Sequence, residues 1–154
     1  MVWVRKQALM LAWLISLVAT GGSIYASEIR QFLPCTLCWV ERTFMFPLVF
    51  ILGQAAFRRD RSVAVYVLPL TMLGGLTSLY HYVIQKVPAL EPAAFCVGVP
   101  CSVQYVNWLG FITLPLLAFV AFGALTGLLV VTREADEQDR ARAALRGRVS
   151  GRGR

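Results

Sequence analysis

The stretch that decides the fold is Pro34-Cys35-Thr36-Leu37-Cys38-Trp39-Val40-Glu41-Arg42. It places a Cys-x-x-Cys pair at the start of an apolar segment, with two ionisable residues one turn deeper. Thiols at this spacing lie on the same side of a helical turn and can close a small disulfide ring. Pro34 suits the start of that helix, because its missing N–H would have no partner in the first turn. The stretch is therefore interpreted as a redox site at the mouth of a membrane helix.

The charges around the thiols support this interpretation. A thiolate at the start of a helix feels the positive end of the helix dipole, which lowers its pKa. Arg42 follows Cys38 by four residues, so we expect it to lie over the same face and reinforce that effect. Ionisable residues in an apolar zone are costly and usually functional. The alternative for Glu41 and Arg42 is a mutual salt bridge near the headgroups, with Arg42 snorkelling outward.

The composition indicates a membrane protein. Of the 154 residues, 58% are hydrophobic and only 15% are charged, and the mean hydropathy is +0.65. A soluble domain usually has about a quarter charged residues. The net charge of +7 is spread in short basic runs between apolar segments, as in membrane topology signals, and not in one patch. Nucleic acid is therefore not an expected partner.

We predict an all-α membrane protein, a four-helix transmembrane bundle in one redox domain over residues 1–132. The predicted spans are about 7–27, 38–57, 62–84 and 107–132, joined on the outside by loops 28–37 and 85–106. Asn107 is the expected N-cap of the fourth span. Residues 133–154 are predicted to be a basic, partly disordered tail. A cleaved signal peptide is the alternative for the first span, but its uncharged run exceeds the ~7–15 residues of a signal h-region.

The basic residues predict the orientation. Twelve of the 15 Lys and Arg residues fall at the termini and the short turn after the second span, against Arg30 and Lys86 in the outer loops. The positive-inside bias then places both termini in the cytoplasm and all four cysteines outside, where disulfides persist.

A second cysteine pair, Cys96 and Cys101, lies in the long outer loop, where Gly98 and Pro100 favour a turn between the thiols. A structural disulfide is the common use of such a pair. A zinc site of all four cysteines would need ligand pairs separated by a transmembrane hairpin, so no metal is predicted. Two pairs on one face of a small bundle can also pass a disulfide between them by thiolate exchange. His81 could be an interfacial histidine or a cofactor contact.

These elements together resemble the DsbB/BdbC family of bacterial membrane disulfide-bond oxidoreductases. The resemblance rests on Cys-x-x-Cys-x-x-Glu-Arg at the second span, the four spans and the second outer pair. The run from Val99-Pro100-Cys101-Ser102 to Ile112, and Tyr80-His81-Tyr82, are similar to the BdbC-like branch. The resemblance covers about Trp13 to Phe122.

The resemblance implies a quinone-linked thiol:disulfide oxidoreductase in the bacterial cytoplasmic membrane. Such an enzyme reoxidises an extracytoplasmic thioredoxin-like dithiol oxidase (DsbA/BdbD-like) and passes the electrons to the membrane quinone pool, with menaquinone expected over ubiquinone. By position, Cys35 and Cys38 match the quinone-coupled pair, with Cys38 next to the ring. Arg42 matches the arginine near a quinone carbonyl, and Glu41 and His81 are further candidates for the quinone site.

The same resemblance implies that Cys96 and Cys101 exchange with the soluble partner, Cys96 being the expected point of attack. Their short spacing departs from the wider separation of the DsbB branch, which leaves the order of attack open. Five aromatic residues could wall a quinone pocket, although interfacial belts and core packing are expected for most of them: Trp39, Phe44, Phe46, Tyr80 and Tyr82. Glycines at 21–22, 74–75, 123 and 127 are expected at helix contacts.

Three other classes of membrane protein fit the sequence less well. A vitamin-K-epoxide-reductase-like enzyme has similar chemistry, but its quinone-facing Cys-x-x-Cys lies late in the chain. A non-enzymatic membrane protein with two structural disulfides would need no arginine below the thiols. A transporter would be expected to carry polar residues deep in several spans, whereas here the midplane is nearly all apolar.

Overall fold

The computed structural model describes residues 2–92, 96, 98–107 and 109–151, with side chains from residue 7 to residue 146. It contains four long helices: α1 (Val2–Glu28), α2 (Thr36–Arg58), α3 (Val63–Lys86) and α4 (Leu114–Gly151). One 3-10 turn (Pro88–Leu90) lies in the loop after α3. All four helices are long and apolar enough to cross a membrane. The prediction of an all-helical, four-span fold is confirmed.

The ends of α2 show how the sequence delimits a helix. Cys35 is the N-cap, in extended conformation, and its sulfur accepts a hydrogen bond from the Cys38 N–H. Pro34 therefore lies just before the cap and not in the first turn, where it was predicted. At the other end Arg59 adopts the left-handed conformation, with φ 56°, and its N–H bonds back to the carbonyls of Ala55 and Ala56. The N-cap thus directs the Cys38 amide in the first turn of α2 at the Cys35 sulfur.

The predicted start of the fourth span is wrong. The helix begins at Leu114, and Asn107 instead donates from Nδ2 to the side-chain oxygen of Gln104, 2.8 Å away, within the loop. Pro115 falls in the first turn of α4, where a missing N–H costs no hydrogen bond. Residues 107–113 thus belong to the loop between α3 and α4 and not to a helix.

The helical part of the tail is longer than predicted, because α4 continues to Gly151. Two pairs at i,i+4 spacing support this extension, Arg133 with Glu137 and Asp136 with Arg140, each at 2.8 Å. Arg61 in the α2–α3 turn also reaches Asp139, at 2.7 Å. Residues 152–154 lie outside the described residues.

The main core lies between the helices, and Phe122 is its largest fully buried side chain. Its ring lies on Gly74 of α3, where an added Cβ would be 2.4 Å from a ring carbon. Gly53 of α2 faces the Trp13 ring in the same way, at 2.8 Å. The predicted contact at Gly74 is confirmed. The predictions for the glycines at 21, 22, 123 and 127 are wrong, since an added Cβ there would meet nothing within 4 Å.

A second, smaller cluster lies where α2 begins and α3 ends, and we call it the thiol cluster. Its buried members are Cys35, Leu37, Ile84 and Cys101, and Cys38, Cys96 and Val99 pack against them. Side chains of α3 hold the long loop in place there. Gln85 donates to the Val103 carbonyl (2.9 Å), and Lys86 donates to the Gly110 carbonyl (2.7 Å). The loop is thereby folded back over the Cys-x-x-Cys pair.

Candidate active site

The Cys35 and Cys38 sulfurs lie 2.9 Å apart as free thiols. Cys35 is buried and Cys38 is half-buried. The Cys38 N–H, at the start of α2, donates to the Cys35 sulfur at 3.3 Å. The hydrogen bond from the Cys38 thiol holds the pKa of Cys35 well below its usual range, against the opposing effect of burial and with help from His81. Cys35 is therefore the thiolate of the pair.

His81 joins the two sides of this site. Its ring is buried, with Nε2 3.5 Å from the Cys35 sulfur and 3.2 Å from the Cys101 carbonyl oxygen. Its Nδ1 lies 2.9 Å from a carboxylate oxygen of Glu41. Both ring nitrogens thus face acceptors, which suits an imidazole that donates from both. The sequence left open whether His81 is an interfacial histidine or a cofactor contact. In the structure it is buried and contacts the Cys35 sulfur.

The alternative considered from the sequence, an ion pair between Glu41 and Arg42, is not formed, since Glu41 pairs with His81. Consecutive helix residues do not face each other, and Glu41 turns toward α3 while Arg42 turns toward α1. One Arg42 nitrogen donates to the Ser23 carbonyl, 3.2 Å away, and to the Ser27 hydroxyl. The guanidinium also lies over the Trp39 ring, 5.4 Å from its centroid. Arg42 therefore joins the end of α1 to the beginning of α2.

The loop pair forms a disulfide, with the Cys96 and Cys101 Cα atoms 5.7 Å apart. Cys101 is fully buried beside Cys35, whereas Cys96 is half-buried. Two sulfurs bonded to each other are not thiolate ligands, so the four-cysteine zinc site does not exist in this state.

Sequence reasoning missed Glu91. Its carboxylate accepts the Cys101 N–H at 2.6 Å. Hydrogen bonds from the Ser102 side chain and from the backbone amides of Cys101 and Ser102 lower the pKa of Glu91. Glu91 is thus an anion that fixes the turn carrying Cys101. No local pattern marks a loop glutamate for this role, because its partners follow ten residues later.

A cavity of about 20 Å³ opens beside the pair and is mostly apolar. Its lining is Cys35, Cys38, His81, Gln85, Pro100, Val103, Tyr105, Val106, Leu114 and Pro115. It is water-sized, so a quinone ring is not enclosed there. None of the five aromatic residues considered from the sequence lines it. Phe44 and Phe46 pack against the main core, as expected.

The donor set nevertheless fits a quinone bound outside this cavity, on the surface that Arg42 and Trp39 form. Arg42 has five N–H donors, and its contacts with α1 use only one of its nitrogens. Trp39 beside it is 57% exposed and offers an apolar ring surface. Cys38, one turn before Arg42 in α2, is the less buried of the two thiols.

Comparisons with known proteins point to one family. The chain matches the family model described as "Disulfide bond formation protein DsbB" over residues 5–132. It is 54% identical over 112 residues to "Disulfide bond formation protein C" of Bacillus subtilis (strain 168), which covers 72% of this chain and 81% of that protein. It is 55% identical over 112 residues to "Probable disulfide formation protein C" of Halalkalibacterium halodurans, covering 72% and 82% respectively.

A longer match, 43% identical over 132 residues, is to the "Probable disulfide formation protein" of Oceanobacillus iheyensis, and covers 84% of this chain and 91% of that protein. No solved structure matches the chain significantly. The family match spans all four predicted membrane segments and both cysteine pairs. The chain belongs to the DsbB family of disulfide bond formation proteins, as the Cys-x-x-Cys-x-x-Glu-Arg element predicted.

Proposed function

We propose that the protein is a quinone-linked thiol:disulfide oxidoreductase. It reoxidises an extracytoplasmic thioredoxin-like dithiol oxidase and so supports disulfide formation in exported proteins. The observation that carries this proposal is the thiol cluster, in which a loop disulfide lies against a Cys-x-x-Cys pair. Two redox pairs in contact can exchange a disulfide without leaving the protein. The names of the relatives agree with disulfide formation as the outcome.

The difference in exposure between the loop cysteines supports an order of events. Cys96 is the accessible sulfur, so a thiolate of the reduced partner attacks it, and the buried Cys101 leaves as a thiolate. The second thiol of the partner then displaces Cys96, which releases the partner as a disulfide. The loop pair now holds the two electrons, with the Cys101 thiolate next to Cys35.

The second exchange is internal. The Cys101 thiolate attacks Cys35 in an oxidised Cys35–Cys38 pair, and Cys38 leaves. Cys96 then attacks Cys101, which reforms the loop disulfide and releases Cys35 as a thiolate. The structure has the disulfide and the free thiols arranged as they would be after this step.

Glu41 and His81 act on Cys35 in this proposal. His81 donates from Nε2 toward the Cys35 sulfur, while Glu41 holds the opposite ring nitrogen. A fixed donor beside a leaving thiolate stabilises the charge that develops on it. This arrangement favours the release of Cys35 from the bond with Cys101. It also keeps Cys35 deprotonated in the reduced pair.

Cys38 and Arg42 are the residues proposed to hold the quinone. A bound quinone, menaquinone by expectation, would take up the two electrons of the reduced pair. Arg42 supplies a fixed positive charge and planar donors in a region of low dielectric constant. The four thiol positions are proposed to face the extracytoplasmic side, because most of the basic residues cluster at the opposite ends of the helices.

The test is anaerobic mixing of the purified, oxidised protein with a reduced thioredoxin-like protein and menaquinone, while quinone absorbance is followed. We expect one quinone to be reduced for each partner disulfide formed. Cys96→Ser should abolish this turnover, yet a small dithiol should still deliver electrons through Cys35 and Cys38. Partner oxidation at full rate in Cys96→Ser would show that the loop pair is only structural.

A further inference from the structure

The site also contains three side chains that together could bind a metal ion, a role that the proposed redox function does not give them. The Cys35 sulfur, the Cys38 sulfur and a His81 nitrogen lie within 4.8 Å of one another. Two thiolates and an imidazole are a ligand set that zinc favours, with the fourth position open to water. The three come from the start of α2 and the end of α3, so the fold itself brings them together.

The distances suit a tetrahedral ion. Zinc binds sulfur at about 2.3 Å and nitrogen at about 2.0–2.1 Å, which puts neighbouring ligand atoms roughly 3.5–3.8 Å apart. The Cys35 sulfur and His81 Nε2 are already 3.5 Å apart. The two sulfurs, now 2.9 Å apart, need to separate by roughly 0.8 Å. A small rotation of the half-buried Cys38 side chain provides this.

The surroundings supply the other parts of such a site. Glu41 holds His81 Nδ1 at 2.9 Å, and a carboxylate on the second nitrogen is the usual partner of a zinc-bound histidine. The cavity of about 20 Å³ is lined by all three ligand residues and is large enough for a water molecule. Gln85 also lines it, and its side-chain oxygen is buried without a hydrogen-bond partner among the described residues. That oxygen is free to accept a hydrogen bond from a metal-bound water.

We infer that the reduced Cys35–Cys38 pair and His81 form a Cys₂His site for zinc or a similar soft divalent ion, which locks the enzyme in its reduced form. Binding displaces the proton of the Cys38 thiol and the Nε2 proton of His81, so protons are released and no electrons move. Both thiolates are then ligands and cannot act as nucleophiles. An oxidised pair offers no thiolate, so the site exists only after reduction. The binding is independent of the proposed function, and only the inhibition rests on it.

The binding test uses the full chain with Cys96→Ala and Cys101→Ala, because the reduced loop thiols and Glu91 would form a second ligand cluster. The anaerobically reduced protein is titrated with Co²⁺, whose visible bands report tetrahedral thiolate ligation, and then with Zn²⁺. We expect one Co²⁺ per chain, displaced by Zn²⁺, and no bands after reoxidation of Cys35 and Cys38.

Variants identify the ligands. His81→Gln should weaken binding at least tenfold, and Glu41→Gln by about tenfold to a hundredfold. Ser78→Ala is the matched control, since Ser78 is buried one turn earlier in α3 and does not line the cavity. It should bind like the parent. Two results would overturn the site. One is the absence of cobalt bands from the reduced parent, and the other is a His81→Gln variant that has parental helicity and binds the metal as tightly as the parent.

The inhibition has its own readout. With the unsubstituted protein, Zn²⁺ should stop oxidation of the reduced partner, and a chelator should restore it. Turnover that persists with zinc bound would refute the inhibition while leaving the site in place. Absence of turnover in zinc-free protein would refute the proposed function and not the binding site.

Discussion

The His81 Nε2 atom lies 3.5 Å from the Cys35 sulfur, although the two residues are 46 positions apart in the chain. The contact joins the last turns of α3 to the N-cap of α2. Since Nε2 also lies 3.2 Å from the Cys101 carbonyl oxygen, the same ring links Cys35, the first cysteine of the Cys-x-x-Cys pair, to the buried cysteine of the loop. The chemistry of the site therefore depends on how α2, α3 and the loop are held together.

The first prediction concerns the reactivity of Cys35 as a function of pH. The pKa of Cys35 is lowered. The thiolate therefore persists as the pH falls and is protonated only when the pH passes below that lowered pKa. An ordinary thiol with a pKa of about 8.5 loses reactivity below that pH. Cys35 in the reduced protein should still be alkylated rapidly at about pH 6.5, two units lower. Peptide mass spectrometry after timed iodoacetamide exposure measures this.

His81→Gln should shift that alkylation profile toward higher pH, because the variant lacks a charged donor at the sulfur. Ser78→Ala, on the same helix, should leave it in place. An unchanged profile in His81→Gln would mean that Cys38 and the helix start alone set the reactivity of Cys35.

The second prediction concerns Arg42. Arg42→Met keeps the length and apolar character of the side chain but removes its charge and donors. We expect quinone affinity to fall about tenfold to a hundredfold, the usual effect of losing hydrogen bonds from a charged group. Arg42→Lys should recover part of it, since a point charge lacks the planar fork. Steady-state turnover against quinone concentration provides the measurement.

Ser27→Ala is the matched control for Arg42, because it removes a contact between Arg42 and α1 while keeping the charge. It should have a much smaller effect on quinone affinity. No compensating change at Glu41 is needed, since its partner is His81. Parental turnover by Arg42→Met would identify Arg42 as an anchor between α1 and α2 only.

The third prediction tests the packing that supports the site. An alanine Cβ at Gly74 would lie 2.4 Å from the Phe122 ring, and such overpacking typically costs about 1–3 kcal/mol. Gly74→Ala should therefore lower the unfolding temperature in detergent micelles. Gly123→Ala, where an added Cβ meets nothing within 4 Å, should not. Equal stability of the two variants would contradict the observed contact between α3 and α4.

The fourth prediction concerns sidedness. After mild reduction of intact cells, a membrane-impermeant maleimide should label the cysteines from outside, because the basic ends of the helices are retained inside. Cys96 should react first, since it is more exposed than the buried Cys101. Labelling that requires permeabilised cells would reverse the orientation and with it the access of the partner.

Much of the fold could be predicted from local patterns. The four spans follow from long apolar runs, and the position of the first pair at the start of α2 follows from helical spacing. The start of α4 was predicted wrongly because Asn107 has the chemistry of an N-cap and is followed by apolar residues. In the folded loop that side chain instead bonds to Gln104.

The candidate site was predictable as a set of residues but not as an arrangement. His81 lies 46 positions from Cys35, 40 from Glu41 and 20 from Cys101 in the chain, and no spacing rule connects these partners. A salt bridge between Glu41 and Arg42 was considered because the two residues are adjacent in sequence. Helix geometry instead turns the two side chains toward different neighbours. Glycine spacing indicated a contact at Gly123, whereas the bulk of Phe122 places the close contact at Gly74.

The central claim is that the loop pair and the Cys-x-x-Cys pair exchange directly, through Cys35 and Cys101. A Cys38→Ser, Cys96→Ser variant leaves only those two thiols, which lie together in the thiol cluster. The measurement is mass spectrometric mapping of disulfides after mild oxidation in micelles. We expect a bond between Cys35 and Cys101 within each chain, formed faster than the Cys35–Cys96 bond of the matched Cys38→Ser, Cys101→Ser variant. Two thiols that remain free and open to alkylation would contradict the relay.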